Sequence, residues 1–256
     1  FFFIMNRIKK INEIRRKMSS KKPTIGSWIQ IPHASVAEIM GQSGYDWVAV
    51  DMEHGAISSH QLPDLFRALE LGGTLPLARI AQDTAKDCKC ALDAGAGGVI
   101  VPMIESAEQL TNIRDMCRWP PAGRRGVGFS RANMFGKYFD DYIEEAQAPL
   151  LIAMIENIRA VENLEDILQV KGLDAILIGP YDLSASISLT AKLKSEKFLK
   201  IMKKIKKISD QYDIPCGIHV VTPDDRLLKQ YIDDGYRFIA YSIDSVFMHS
   251  SARFPY

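Results

Sequence analysis

Short, almost uninterrupted apolar runs alternate along this chain with longer stretches in which apolar residues recur every three or four positions. The runs are Thr24–Ile29, Trp47–Val50, Leu75–Arg79, Gly98–Val101, Leu150–Ile155, Ala175–Ile178, Cys216–His219 and Phe238–Tyr241. Continuous apolar character over so few residues suits parallel strands buried on both faces. The intervening stretches, among them Ala34–Gly41, Gln61–Leu71, Thr84–Asp93, Ala107–Cys117 and Ala160–Val170, have helical spacing. Glycine punctuates helix-to-strand joints at Gly44-Tyr45-Asp46, Gly95-Ala96-Gly97, Lys171-Gly172-Leu173 and Asp234-Gly235-Tyr236, as a helix C-terminal cap requires. Eight strands in strict alternation with helices predict an α/β fold, a single (β/α)8 TIM barrel. An open doubly wound sheet would call for a glycine-rich fingerprint after the first strand. Ile29-Gln30-Ile31-Pro32 is not one, Gly95–Gly98 misses the spacing, and no Walker A sequence occurs.

Ahead of the first strand, Ile4, Ile8, Ile11 and Ile14 fall at helical spacing within a basic stretch that holds Arg7, Lys9, Lys10, Arg15, Arg16, Lys17, Lys21 and Lys22. Residues 1–22 are expected to form a short basic helical extension, solvated and lying on the barrel, with residues 23–256 as the barrel domain. A membrane-surface or partner helix is the other reading of that pattern. The apolar Phe1–Met5 is far too short for a membrane span or a signal h-region. In Lys192–Lys207 and just beyond, Phe198, Ile201, Ile205 and Ile208 share a face, which reads as core packing beneath a wet lysine face rather than an anion-binding surface.

Composition adds little beyond exclusions. A net charge of +1 gives no global pull toward nucleic acid or an anionic membrane. Cys88, Cys90, Cys117 and Cys216 form neither a paired CxxC framework nor a dense disulfide scaffold, so reduced thiols and a cytoplasmic location are expected.

Barrels of this kind place their chemistry at the C-terminal ends of the strands. There the second strand runs into Asp51-Met52-Glu53-His54-Gly55, the third ends on Arg79, the fifth runs into Glu156, the sixth into Gly179-Pro180-Tyr181-Asp182-Leu183-Ser184, and the seventh ends at His219. Glu156 and Asp182 follow neighbouring strands, and two hard oxygen ligands with few protein partners suit Mg²⁺ or a similar ion that keeps waters for a substrate. Singly, either acid could be a helix cap or an ion-pair partner. His54 is a candidate general base, since histidine side chains ordinarily titrate near neutrality. Arg79 calls for an anion, either a substrate oxyanion or a structural partner in Asp51 or Glu53. No lysine ends any of the second to eighth strands, so a Schiff-base mechanism has no nucleophile.

Asp51-x-Glu53-His54-Gly55, the loop Pro120-Pro121-Ala122-Gly123-x-Arg125-Gly126-x-Gly128, Ile155-Glu156 and Gly179-Pro180-x-Asp182-Leu183-Ser184, in that order, resemble the HpcH/HpaI aldolases, class II pyruvate-type enzymes of the phosphoenolpyruvate/pyruvate barrel superfamily. The likeness extends from about Ile25 to Asp244. It implies reversible retro-aldol cleavage of a 4-hydroxy-2-oxo acid to pyruvate and an aldehyde, through a pyruvate enolate on a metal. It further implies that Glu156 and Asp182 hold Mg²⁺ or Mn²⁺, that His54 is the base and that Arg79 stabilises the enolate. Asp93 would raise the basicity of His54, and Tyr181 (through its backbone), Asp182 and Arg79 would contact substrate. A homo-oligomer built on dimers, up to a hexamer, is implied as well, with small-molecule substrates as the other partners. Met154 stands where the family often has a substrate-contacting glutamine, Tyr181 where it has a small residue, and Tyr241 precedes Ser242-Ile243-Asp244 where it has another small residue, so the wall on the aldehyde side differs. Two alternatives remain within this reading: a lyase or decarboxylase acting on a larger 2-oxo acid or CoA ester, and a metal-binding barrel without catalysis. The Glu53-His54 motif and the Pro-Pro-Ala-Gly loop favour the aldolase over the first, and the intact set His54, Arg79, Asp93, Glu156 and Asp182 argues against the second.

Overall fold

A computed structural model describes residues 6–252 and 254. Phe1–Met5, with the Ile4 of the expected stripe and the apolar run at the start, lie outside the described residues. Eight parallel strands, β1 (Thr24–Ile29), β2 (Trp47–Asp51), β3 (Leu75–Arg79), β4 (Gly98–Val101), β5 (Leu150–Ile155), β6 (Ala175–Ile178), β7 (Cys216–Val220) and β8 (Phe238–Ile243), pair in sequence order and close on themselves. Closure is made by β8 on β1, with Thr24 opposite Phe238 and Ile25 opposite Ile239. The (β/α)8 expectation from apolar runs is therefore met.

The helices are α1 (Arg7–Ser19), α2 (Ala34–Gln42), α3 (Leu62–Leu71), α4 (Ala85–Asp93), α5 (Ala107–Cys117), α6 (Phe139–Gln147), α7 (Ile158–Glu162), α8 (Leu164–Leu168), α9 (Pro180–Ser186), α10 (Glu196–Gln211), α11 (Asp225–Asp233) and α12 (Asp244–Ser251). The single helix expected over Ala160–Val170 is two short ones, because Asn163 ends α7 and caps α8 while its side-chain amide donates to the Glu105 carbonyl at 2.9 Å. The Gly-Pro-Tyr-Asp segment is the start of α9, with Pro180 in its first turn, where the missing N–H costs nothing. Among the described residues, no helix is long and apolar enough to cross a membrane.

Strand alternation divides the core into two layers. Val48, Val50, Ala78, Val99, Ala153, Ile176 and Ile218 point outward against the helices. Trp28, Trp47, Leu77, Ile100, Ile152, Met154, Leu177 and Phe238 fill the interior, where the Trp47 and Phe238 rings stack with centroids 4.3 Å apart.

The helix α1 is not the solvated appendage its basic residues suggest. Ile11, Ile14 and Met18 are buried among the interior side chains and close the base of the barrel. Burying each is worth about 1.5–3 kcal/mol. The polar face is tied down too: Arg7 is buried, pairing with Glu145 at 2.7 Å and Glu70 at 3.2 Å and donating to the Ala132 carbonyl. Glu70 in turn takes Arg131 at 2.5 Å. The basic stretch is thus partly an internal ion-pair network; a helix that is apolar on one stripe and basic elsewhere looks the same in sequence whether its basic side faces water or buried carboxylates.

Candidate active site

The mouth of the barrel is organised by Asp51, the fully buried last residue of β2. Arg79, opposite it in register at the end of β3, donates Nε to Oδ1 at 2.8 Å and Nη2 to Oδ2 at 2.6 Å. Such a fork-on-fork pair holds a guanidinium in one plane. The same carboxylate accepts the backbone N–H groups of Glu53 and His54 at 3.1 and 3.2 Å and the Gln30 amide at 2.9 Å. It therefore sets the loop carrying Glu53 and His54 as well as the arginine. Gly55 completes that loop, since a Cβ there would come within 2.3 Å of the Asp51 carbonyl oxygen. Burial alone would raise the Asp51 carboxyl, but the hydrogen bonds and charge of Arg79, with the Gln30 and His54 donors, hold it below its usual value.

Arg79 is further fixed by Glu53, whose Oε2 lies 3.1 Å from Nη1, and by Trp28, over whose ring the guanidinium sits at 4.7 Å. Both structural partners weighed for Arg79 in the sequence are thus present. A guanidinium has five N–H donors, so donors remain beyond the three used on Asp51 and Glu53. His54 is 60% exposed at the mouth, with Nε2 3.9 Å from Glu53 Oε2. Burial raises the Glu53 carboxyl against the opposing pull of Arg79 and His54, and the negative charges of Asp51 and Asp182 raise it further.

Glu156 follows β5 and is buried, with one oxygen accepting the Met103 N–H at 3.0 Å. Burial, together with the negative charge of Glu53 and Asp182, pushes its carboxyl up to about 7 despite the Met103 donor and Arg79. Gly179 makes room for it, as a Cβ there would lie 2.4 Å from Glu156 Oε1. Asp182 is exposed in the first turn of α9. Carboxylates from three loops, one of them buried, thus face one another at the mouth beside the clamped Arg79, an excess of negative charge that fits a divalent ion. Among the described residues, no group of three or more His, Cys, Asp or Glu side chains forms a closed metal cage. Two carboxylate ligands with positions left for water and substrate is the arrangement that this donor set can offer.

Asp93 is not brought to His54 within this chain. It is the last residue of α4, and a helix running back from the mouth delivers its end to the base of the barrel. There Asp93 lies 3.5 Å from Arg125, whose Nη2 donates to the Tyr142 hydroxyl at 2.9 Å. Arg125 of the Pro-Pro-Ala-Gly loop is thus buried beside Asp93 and Tyr142. Met154 is 3% exposed and faces the interior layer of the barrel, two residues before Glu156 on the same strand end. Tyr181 is 48% exposed where α9 begins.

The sequence reading left Gln30 and Asp244 without roles and gave Asp51 only that of a partner for Arg79. Asp244 accepts the Gln30 and Ile31 N–H groups, each at 2.9 Å, and so ties the end of β8 to that of β1. The available signal was an acid directly after each of two β-branched runs, in Val50-Asp51 and Ile243-Asp244.

What such a mouth can do follows from its charges. It can neutralise a developing oxyanion and pass a proton to or from a neighbouring carbon, as barrel enzymes that make and break carbon–carbon bonds must. The chain belongs to the HpcH/HpaI aldolase/citrate lyase family, which it matches over residues 24–250, and it is a carbon–carbon lyase. It is 36% identical to a hydroxypyruvate/pyruvate aldolase of Roseobacter denitrificans over 238 residues, 91% of each chain. It is also 36% identical to a 4-hydroxy-2-oxovalerate aldolase of Novosphingobium aromaticivorans over 239 residues, 92% of this chain and 89% of that one. A crystal structure of an HpcH/HpaI aldolase/citrate lyase family protein from Burkholderia cenocepacia superposes with a TM-score of 0.88 at 29% identity, covering 94% of this chain and 96% of that one.

Proposed function

We propose that the chain catalyses the reversible aldol cleavage of a 4-hydroxy-2-oxo acid to pyruvate and an aldehyde, with a divalent ion, Mg²⁺ or Mn²⁺, held by Glu156 and Asp182. The observation that carries this reading is the buried Glu156 carboxylate, set beside Glu53 and Asp182 at the mouth and raised to about 7 by its burial and by those two charges. The names of the two aldolase relatives support the same class of substrate. A bound ion supplies Lewis-acid stabilisation of the charge that grows on a 2-oxo acid as its C3 loses a proton.

The chain's own groups do the rest. In the condensing direction His54 takes a proton from C3 of pyruvate through one water, and the electron pair moves into the C2–C3 bond and onto the C2 oxygen. Arg79, held in plane by Asp51 and Trp28, turns a remaining N–H toward that oxygen. C3 then attacks the aldehyde carbon, and the new alkoxide regains the proton from His54 as the C2 carbonyl re-forms. Cleavage is the reverse. Asp93, paired with Arg125 away from the mouth, has no part in these steps within one chain.

The test is exchange of the pyruvate C3 protons in D₂O, followed by mass spectrometry, with and without Mn²⁺. Metal-dependent exchange is expected, lost in Glu156→Gln and slowed by about 10²-fold or more in His54→Ala. Exchange that ignores the metal, or survives Glu156→Gln, refutes the assignment; an unchanged His54→Ala rate removes His54 from it.

A further inference from the structure

Gln30 reaches the Asp51 carboxylate from outside the β2–β3 pair, and it alone acts on one particular oxygen. Oδ1 of Asp51 is fixed by the backbone N–H groups of Glu53 and His54, at 3.1 and 3.2 Å, before Arg79 Nε is counted. Oδ2 takes Arg79 Nη2 at 2.6 Å, and its other hydrogen-bond partner among the described residues is the Gln30 amide at 2.9 Å. The torsion that swings an aspartate carboxylate is soft. With Oδ1 pinned by the backbone, the donor on Oδ2 selects the plane of the carboxylate. A fork-on-fork guanidinium takes that plane with it. Gln30 thereby sets the angle at which Arg79 presents its remaining N–H groups.

A glutamine can do this only if its own long side chain is held. Gln30 lies just past β1, and the start of α12 holds both its backbone and its amide. Asp244 accepts the Gln30 and Ile31 N–H groups. Ser245 donates its hydroxyl to Gln30 Oε1 at 3.2 Å, and its own N–H is fixed on Asp244 Oδ1 at 2.7 Å. The amide is oriented by its two neighbours, oxygen toward the hydroxyl and nitrogen toward the carboxylate, since the flipped form would set oxygen against oxygen.

The strand leading into this clamp is strained. Between the pairs Gly26–Ala240 and Trp28–Ile243, β8 carries one residue more than β1, and the buried Ser242 within that bulge has a φ of 55°. Its hydroxyl donates to the Val221 carbonyl at 3.1 Å, and its carbonyl accepts the Ser27 hydroxyl at 3.2 Å. A left-handed serine persists where its surroundings impose it. A bulge re-aims the side chains that follow, here Asp244 and Ser245 toward Gln30. We propose that Gln30 is a positioning residue for Arg79, coupling the first turn of α12 through Asp51 to the guanidinium that meets the growing oxyanion. The inference rests on the aldolase reading above and adds to it the chain Ser245–Gln30–Asp51–Arg79.

The experiment follows exchange of the pyruvate C3 protons in the full chain with Mn²⁺, for wild type, Gln30→Met, Ser245→Ala and the double variant. Gln30→Met keeps the length of the side chain and removes the donor. It is expected to lower kcat about ten-fold with KM for pyruvate little changed, because the contact matters once charge moves onto the C2 oxygen. Ser245→Ala leaves Gln30 in place but frees its amide, and is expected to lower kcat about three-fold. The double variant should fall no further than Gln30→Met, because both residues act through one link. Additive falls, an unchanged kcat in Gln30→Met, or a loss confined to KM overturns the proposal. Nitrogen-15 NMR of arginine-labelled, metal-free protein reads the link without turnover. Solvent exchange of the Arg79 Nε–H, assigned through Arg79→Lys, should quicken about ten-fold in Gln30→Met and less in Ser245→Ala. An unchanged rate in Gln30→Met, or a uniform quickening across the buried arginines, overturns it too. Wild type without metal-dependent proton exchange would instead sink the aldolase reading, while the Arg79 signal still decides the link, so the two failures are separate.

Discussion

Replacing Glu156 by Gln should stabilise the metal-free protein, and should do so only where the carboxyl is ionised. The substitution keeps the shape and an oxygen to accept the Met103 N–H, 3.0 Å away, and removes the charge. In an unfolded chain this group titrates near its ordinary 4.5, whereas burial and the facing carboxylates raise it to about 7 in the fold. Below pH 4.5 both states carry the proton and the group is neutral toward folding. As pH climbs from 4.5 to 7 the unfolded chain releases its proton first, so stability falls. Above pH 7 the loss is complete; at ~1.4 kcal/mol per pH unit of separation it comes to about 3 kcal/mol. For a chain of this size that corresponds to about 6–12 °C in melting temperature. Urea denaturation at pH 5 and pH 8, in chelator, measures it. The variant should exceed the wild type by about 3 kcal/mol at pH 8 and by much less at pH 5. An equal advantage at both pH values, or none at pH 8, would refute the crowded-carboxylate reasoning.

Asp51→Ala should be severely destabilising, by about 3–5 kcal/mol in urea titrations, because it strands the Arg79 guanidinium in a buried site; a loss below 1 kcal/mol would mean that Glu53 and Trp28 suffice to hold it. Ile14→Ala at the base of the barrel should cost about 2–5 kcal/mol through the cavity it leaves. A near-zero effect on the urea midpoint would show that α1 does not seal the interior.

The barrel was legible because its strands are buried on both faces, and that condition writes itself as uninterrupted apolar runs such as Leu150–Ile155 and Ala175–Ile178. The candidate site was legible for the same reason: a charged residue directly after such a run, as in Val50-Asp51 or Ile155-Glu156, must stand at the mouth. Less legible were features that depend on pairing across the fold. Arg79 looks identical in sequence whether it faces water or the Asp51 carboxylate 28 positions earlier. Asp93 ends the helical stretch Thr84–Asp93, which by itself places it at the base of the barrel; what stayed hidden was its pairing with Arg125. The α9 helix was hidden because Gly179-Pro180 reads as a loop until the proline is seen to occupy a first helical turn.

The closing of the barrel base by α1 bears on the order in which the chain can assemble. Ile11, Ile14 and Met18 leave the ribosome before any strand, yet their seat includes Leu150 from β5, Ala175 from β6 and Phe238 from β8. The Met18 carbonyl also takes its hydrogen bond, at 3.0 Å, from Arg237, just ahead of that last strand. A nascent half-barrel can offer only part of that seat, so the first helix must wait, with its apolar face unsheltered, for the last strand to arrive. Docking of α1 therefore marks completion of the ring, and any delay in synthesis after β5 lengthens the interval in which an exposed isoleucine stripe can be captured by chaperones or by another unfinished chain.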